Sequence, residues 1–339
     1  MARFFTPVRL VAAGLVLFVV AAVLYLAPSD RYIFLPDRAR AVAPLVDVQG
    51  EKPDRNGGGI YYVAVDVRKA TWLERLLPSL RDGSTLVPVS AVRAPGESDV
   101  AHRRAELRSM ARSQEVAAAV ALRSLGYRVR VRPTGTIVAG VAPNGPASGK
   151  LEPEDVIVGV DGVAARSPEA LRRLLRKHRP GETVRLSVKR GSRIRQVQLK
   201  TVPDPSDRKR PIVGILIEEN AEIDLPVSVN IDLGQVGGPS AGLAFALDVV
   251  EELGHDIDHG QKVVATGELR LDGSVGQVGG IKQKTIGARR AGAEIFVVPA
   301  GDNATEAKRY ADGLRILPVH SFRQALRSLA TVRRESQKS

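Results

Sequence analysis

Ser240 lies in a box of small residues, Gly237-Gly238-Pro239-Ser240-Ala241-Gly242, between an alternating run (VSVNIDLGQ, residues 227–235) and a helical one (LAFALDVVEEL, residues 243–253). The two leading glycines let backbone N–H groups converge, and Pro239 pre-sets a helical entry. Ser240 then stands at the N-terminal end of a helix, where the helix dipole favours developing negative charge. That is a setting for a hydroxyl nucleophile. It is equally the setting of an ordinary N-cap serine after a glycine-rich turn.

A second stretch, residues 263–293 (VVATGELRLDGSVGQVGGIKQKTIGARRAGA), reads as a strand, a hairpin turning at Asp272-Gly273, a Gly279-Gly280 break and a helix. Ile281, Lys284, Ala288 and Ala291 share one helical face, which is apolar except for Lys284. Lys282, Thr285 and Arg289 fall on a different, polar face, so Lys282 reads as a solvated lysine. A lysine on an apolar stripe either snorkels to water or loses proton affinity through burial. A neutral amine beside an activated serine is what a Ser-Lys pair requires.

Other reactive groups carry less. The chain has no cysteine, which excludes disulfide frameworks, thiolate metal sites and thiol nucleophiles. His255, Asp256, Asp258 and His259 cluster after Gly254 without helical periodicity and read as a solvated loop, so no metal is expected. His102, His178 and His320 are scattered. Residues 145–151 (GPASGKL) imitate a phosphate loop, but three residues rather than four separate Gly145 from Gly149, and Leu151 follows Lys150 where a Ser or Thr would reach magnesium. No nucleotide site and no cofactor are expected.

These residues need elements to hold them. With 339 residues the chain is long enough for two or three domains, and 44% hydrophobic residues suffice for real cores. Residues 10–27 (LVAAGLVLFVVAAVLYLA) form an uncharged apolar run of bilayer-crossing length, read as an uncleaved anchor. Arg3 and Arg9 precede the run, while acids and bases mix after it, which predicts residues 1–9 in the cytoplasm and the remainder outside. Residues 28–123 read as a connector with a strand at residues 60–67 and a long amphipathic helix at residues 101–125, where Leu107, Met110, Val116, Ala119 and Leu122 recur at helical spacing. Residues 124–203 switch to short β segments with one helix at residues 168–177 and a hairpin on Arg190-Gly191-Ser192. Residues 204–211 have linker composition, residues 212–330 alternate strand and helix, and residues 331–339 form a polar tail.

Two resemblances follow. The succession of residues 141–175 (VAPNGPASGKLEPEDVIVGVDGVAARSPEALRRLL) with the strand VRLSVKRG resembles a bacterial PDZ domain. Such domains add an extended peptide to a sheet edge. Leu125, Gly126 and Tyr127 are the candidate peptide-binding loop, because a carboxylate-holding turn of that family resembles this sequence. The Ser240 box, Thr266-Gly267-Glu268 and GGIKQK with Lys284 resemble the proteolytic domain of Lon proteases in order and spacing. The layout of anchor, PDZ-like segment and Lon-type domain without an ATPase module is similar to the membrane-anchored Lon-like PDZ proteases of Gram-positive bacteria. The fold expected is therefore α+β: a single N-terminal transmembrane helix, a PDZ-like β-rich domain and a Lon-type proteolytic α/β domain.

The resemblance implies that Ser240 is the nucleophile, Lys284 its general base, and Thr266 the residue that orients the amine. The N–H groups of Ser240 and of the Gly237-Gly238 turn would hold the oxyanion. Many Lon domains carry an acid where this chain has Gly237. The implied function is an ATP-independent, membrane-tethered serine endopeptidase acting on polypeptides and assembled as a homo-oligomer, a hexameric ring by resemblance. The competing reading is an extracytoplasmic peptide-binding scaffold or chaperone without turnover.

The formal net charge of +13 invites a nucleic-acid reading, but aromatic platforms and recognisable modules are missing, so no nucleic-acid partner is expected. Fourteen basic residues lie between Arg172 and Arg210, opposed only by Glu182, Asp204 and Asp207. The excess thus belongs to the PDZ-like segment and its linker, where it is expected to meet anionic head groups of the bilayer anchored by residues 10–27, or acidic substrate segments.

Overall fold

The structure is a computed structural model that describes residues 7–49, 57–93, 99–232, 234 and 236–336, the side chains of residues 7–10, 99, 101 and 333–336 excepted. Arg3, the side chain of Arg9 and residues 337–339 of the expected tail therefore lie outside the described residues. The chain divides into two compact units, Met1–Tyr127 with Val227–Ser339, and Arg128–Pro226.

The first unit opens with α1 (Pro7–Leu26). Among the described residues no helix is long and apolar enough to cross a membrane, which corrects the expectation of a transmembrane anchor at residues 10–27. Without a spanning helix, the single-pass topology with a cytoplasmic N-terminus and an extracytoplasmic remainder loses its basis, and so does lipid contact through residues 10–27.

Next, β1 (Pro28–Pro36) is followed by β2 (Arg40–Ala41), β3 (Val46–Val48), β4 (Gly59–Tyr62), β5 (Val65–Thr71), α2 (Trp72–Leu76) and β6 (Thr85–Pro88). β1 lies antiparallel between β5 and β6. Thr71 and Glu74 close a reciprocal capping box that starts α2. α3 (Asp99–Ser124) realises the amphipathic periodicity in its first half, whereas every residue from 116 to 122 is buried. It ends in a Schellman motif: Gly126, at φ +87°, donates to the Arg123 carbonyl at 3.1 Å, and Tyr127 donates to Leu122 at 3.0 Å.

The second unit is a β sheet with one helix. Its elements are β7 (Arg130–Val141), β8 (Val156–Val160), β9 (Val163–Ala164), α4 (Pro168–Leu175), β10 (Thr183–Arg190), β11 (Arg193–Lys200), β12 (Val202–Pro203), β13 (Pro211–Ile212) and β14 (Ile215–Asp224). Sheet order is β11-β10-β8-β7-β14, with β9 on β8. α4 starts on the Ser167 N-cap with Pro168 in its first turn and turns Leu171, Leu174 and Leu175 onto Val138, Ile157, Val184, Leu186 and Leu199. The segment of linker composition is ordered: β12 and β13 pair around it, and Asp204 binds Ser206 and Arg210. β14 pairs antiparallel along the whole of β7, so it forms the outer strand on that side. Its Glu222 and Asp224 stand opposite Arg132 and Arg130.

The chain then completes the first unit with β15 (Val229–Ile231), α5 (Gly242–Glu252), β16 (Lys262–Ala265), β17 (Glu268–Leu269), β18 (Val275–Gly276), α6 (Ile281–Arg290), β19 (Ile295–Pro299), α7 (Asp302–Arg309), β20 (Arg315–Val319) and α8 (Phe322–Ser336). One sheet runs β2-β4-β16-β19-β20; β4, β16, β19 and β20 are mutually parallel, and only β2 is antiparallel. Continuous apolar strands such as β19, buried at every position, are what a parallel sheet covered on both faces requires. The chain is therefore mixed α/β rather than α+β. Residues 28–123 contribute β3 to pair with β15, β4 to pair with β16, and α3 to pack on α5.

Candidate functional site

Ser240 occupies a one-turn 3-10 segment, Pro239–Ala241, that feeds directly into α5. Neither that turn nor α5 has a side-chain cap, so the Ser240 hydroxyl is not used as an N-cap. Its backbone is fixed from β16 and the residues after it: the Gly267 N–H donates to the Ser240 carbonyl at 2.8 Å, and Thr266 Oγ1 donates to the same carbonyl at 3.0 Å. Thr266 in turn donates its N–H to Val297 of β19, and Leu243 of α5 donates to the Gly267 carbonyl. The parallel sheet thus holds the turn from one side.

Lys284 arrives from α6, which begins after Gly280 at φ +69°, a left-handed conformation that glycine adopts without strain. Ile281 and Ala288, on the same helical stripe, are fully buried, and Lys284 itself is 3% exposed. Lys284 Nζ lies 2.7 Å from Ser240 Oγ and 3.0 Å from Thr266 Oγ1. Burial pushes the Lys284 amine down from 10.5 to about 7. Among the three residues the amine therefore has a hydroxyl to exchange a proton with and a second hydroxyl to fix its direction.

The polar face expected on α6 is only partly polar. Lys282 donates to the Ser84 carbonyl at 2.9 Å and lies over the Tyr310 ring, Thr285 is fully buried and donates to Ile281, and Arg289 pairs with Asp312. Gln283, buried between them, donates to Gly83 and to Thr85. These contacts anchor α6 on either side of the stripe that carries Lys284.

The other wall of the Ser240 turn is α3, which the sequence boxes do not include. Gly238 donates its N–H to the Glu106 carbonyl at 3.1 Å, and Ser113 Oγ donates to the Pro239 carbonyl at 3.1 Å. A Cβ on Gly242 would lie 2.6 Å from Ser113 Oγ, and one on Gly237 would lie 2.8 Å from Glu106 Cβ. The glycines of the box are accordingly required by the close approach of α3. No motif links Ser113 to Pro239 across 126 residues; the density of small residues at positions 237–242 is the signal that another element comes close.

Leu125, Gly126 and Tyr127 sit at the end of α3 in the first unit, with their N–H groups engaged by the carbonyls of Ala121, Arg123 and Leu122. The acidic turn after α5 gathers Glu251 with Asp256 and Asp258, their carboxylate oxygens within 4.8 Å of one another. Glu251 accepts the N–H groups of Ile257 and Asp258, and burial beside Asp258 raises its carboxyl to about 7.

Comparison with known proteins matches residues 124–201 to the PDZ domain family and residues 219–331 to the Lon protease (S16) C-terminal proteolytic domain. A PDZ domain and a Lon proteolytic domain, a serine-peptidase domain, are present in this chain. Lon protease 2 of Bacillus subtilis (strain 168) is 32% identical over 104 residues, 30% of this chain and 18% of that protein. The mitochondrial Lon protease homolog of Rattus norvegicus is 34% identical over 124 residues, 34% of this chain and 13% of that protein. The chain spans between 6% and 18% of the length of the first curated relatives it matches. Among solved structures, the PDZ domain of the SdrC-like protein from Listeria monocytogenes is 27% identical, with a TM-score of 0.23, covering 25% of this chain and 87% of that one.

Proposed function

We propose that this chain is an ATP-independent serine endopeptidase in which Ser240 is the nucleophile, Lys284 the general base and Thr266 the residue that orients the amine. One observation carries the reading: a buried lysine with an amine brought to about 7 sits 2.7 Å from the hydroxyl of the serine box. A serine hydroxyl is a weak nucleophile until a neighbouring base takes its proton, and lysine serves only when desolvation lowers its proton affinity. Neutral Lys284 takes the Ser240 proton as Oγ bonds to the substrate carbonyl carbon. Since Gly238 spends its N–H on Glu106, the oxyanion falls to the N–H groups of Ser240 and Gly237. The resulting Lys284 ammonium protonates the departing amine as the C–N bond breaks. A water, deprotonated by Lys284, then cleaves the Ser240 ester and frees the carboxylate product. Only these side chains move protons, so the steps need no nucleotide.

The second unit is assigned the selection or gating of polypeptides, and the assembly is assigned as a homo-oligomeric ring by similarity to Lon proteases. β14 already fills the edge of β7 at which an extended peptide would pair, so a peptide enters there only if β14 leaves. The test is hydrolysis of an unfolded polypeptide by wild type, Ser240→Ala and Lys284→Met. Cleavage by wild type alone is expected; equal cleavage by Ser240→Ala overturns the reading, and peptide binding without cleavage by any form marks a scaffold.

A further inference from the structure

The carboxylate of Glu106 has no part in the proton path, yet it stands over the turn that presents Ser240. A Cβ on Gly238 would lie 3.0 Å from Glu106 Oε2, and one on Gly237 would lie 3.2 Å from the same oxygen. Gly238 is separated from Ser240 only by Pro239, so this oxygen borders the surface across which a substrate backbone must run to present its carbonyl to Ser240 Oγ. Glu106 is half-buried, and among the described residues no cation or hydrogen-bond donor pairs with its carboxylate. Glu74, a more deeply buried acid of the same unit, is answered by Arg68 and Arg81.

A half-buried carboxylate without a partner is a costly group that a cation relieves, and charge-assisted hydrogen bonds are roughly twice as strong as neutral ones. We propose that Glu106 is a specificity-determining residue that receives a Lys or Arg side chain of the substrate flanking the scissile bond. The proposal rests on the reading of Ser240 and Lys284 as a peptidase pair. It places a substrate-selecting residue on α3, more than a hundred residues before the matched proteolytic segment begins at residue 219.

The experiment uses the full chain and fluorogenic peptides that differ at one position at a time, Lys, norleucine or Glu, across the four positions flanking the cleaved bond. Wild type is expected to cleave the Lys peptide at one of these positions about 10-fold or more faster in kcat/KM than the norleucine peptide, as a charged hydrogen bond of ~1.5–3 kcal/mol implies. In Glu106→Gln, which keeps the shape and removes the charge, that ratio falls to about one. In Glu106→Lys the preference inverts towards the Glu peptide. An unchanged ratio in Glu106→Gln, including a uniform loss on all peptides, overturns the inference and leaves the peptidase reading standing. Absence of Ser240-dependent cleavage from the wild type overturns both.

Discussion

Thr266 Oγ1 accepts a hydrogen bond from Lys284 Nζ and donates its own to the Ser240 carbonyl, both at 3.0 Å. One fully buried hydroxyl thereby connects the amine to the backbone of the residue it faces. Thr266→Val keeps the volume and β-branching and deletes both bonds. A hydrogen bond is worth about 1 kcal/mol net, so losing one or both is expected to lower kcat roughly 5- to 30-fold with little change in KM. Steady-state kinetics check this, and Thr266→Ser, which restores the hydroxyl, is expected to recover most of the loss.

The pH dependence follows from the same burial. Only neutral Lys284 accepts the Ser240 proton, so kcat/KM is expected to rise with pH up to about 7 and level off above it. Stability has a matching signature. Between about 7 and 10.5 the unfolded chain holds a proton on Lys284 that the folded chain has released, so stability rises with pH across that window. Chemical denaturation at the two ends should show the slope in wild type and its loss in Lys284→Met. A wild-type slope unchanged in the variant would assign the titration to another group.

Periodicity placed Lys284 on an apolar stripe, and spacing placed Ser240 at a turn before a helix, because helix faces and glycine turns are local properties of a chain. The wall formed by α3 was illegible for the opposite reason: Ser113 meets Pro239 through tertiary packing across 126 residues. The N-terminal strands misled in the same way. The single strand expected at residues 60–67 divides into β4 and β5, and only the parallel pairing of β4 with β16 makes it part of the sheet behind the site. The α+β expectation failed on this point, since parallel pairing is decided by partners distant in sequence. The apolar run at residues 10–27 reads as an anchor by its length and hydropathy, and among the described residues no helix is long and apolar enough to cross a membrane.

In the second unit, Asp155 is held by two bonds from Arg190, Nε to Oδ1 and Nη2 to Oδ2, each at 2.7 Å, and also accepts the Glu152 N–H at 2.9 Å. Its side chain is 1% exposed. Arg190→Met would strand a buried carboxylate, at a cost of about 3–5 kcal/mol. Urea denaturation should show that loss, and Arg190→Met combined with Asp155→Asn should recover part of it, because the stranded charge is gone.

The pairing of β14 with β7 carries the last prediction. Glu222 and Asp224 stand directly opposite Arg132 and Arg130, all four exposed, so opposite charges face each other across the ladder. Such cross-strand pairs contribute roughly 0.2–1 kcal/mol each, and like charges in the same register oppose pairing by similar amounts. Glu222→Arg with Asp224→Arg replaces two attractions by two repulsions, a change of about 1–2 kcal/mol or roughly 10-fold in the population of freed β7 edge. Amide exchange at residues 130–135 of β7 should quicken by that factor while residues 184–188 of β10 stay protected. A labelled acidic peptide copying residues 215–224 should bind the double variant more tightly than wild type, since Arg130 and Arg132 then lack their resident partners. Equal exchange and equal binding in the two proteins would show that apolar packing at Ile215 and Ile217, which join the unit's core, holds β14 in place regardless of charge.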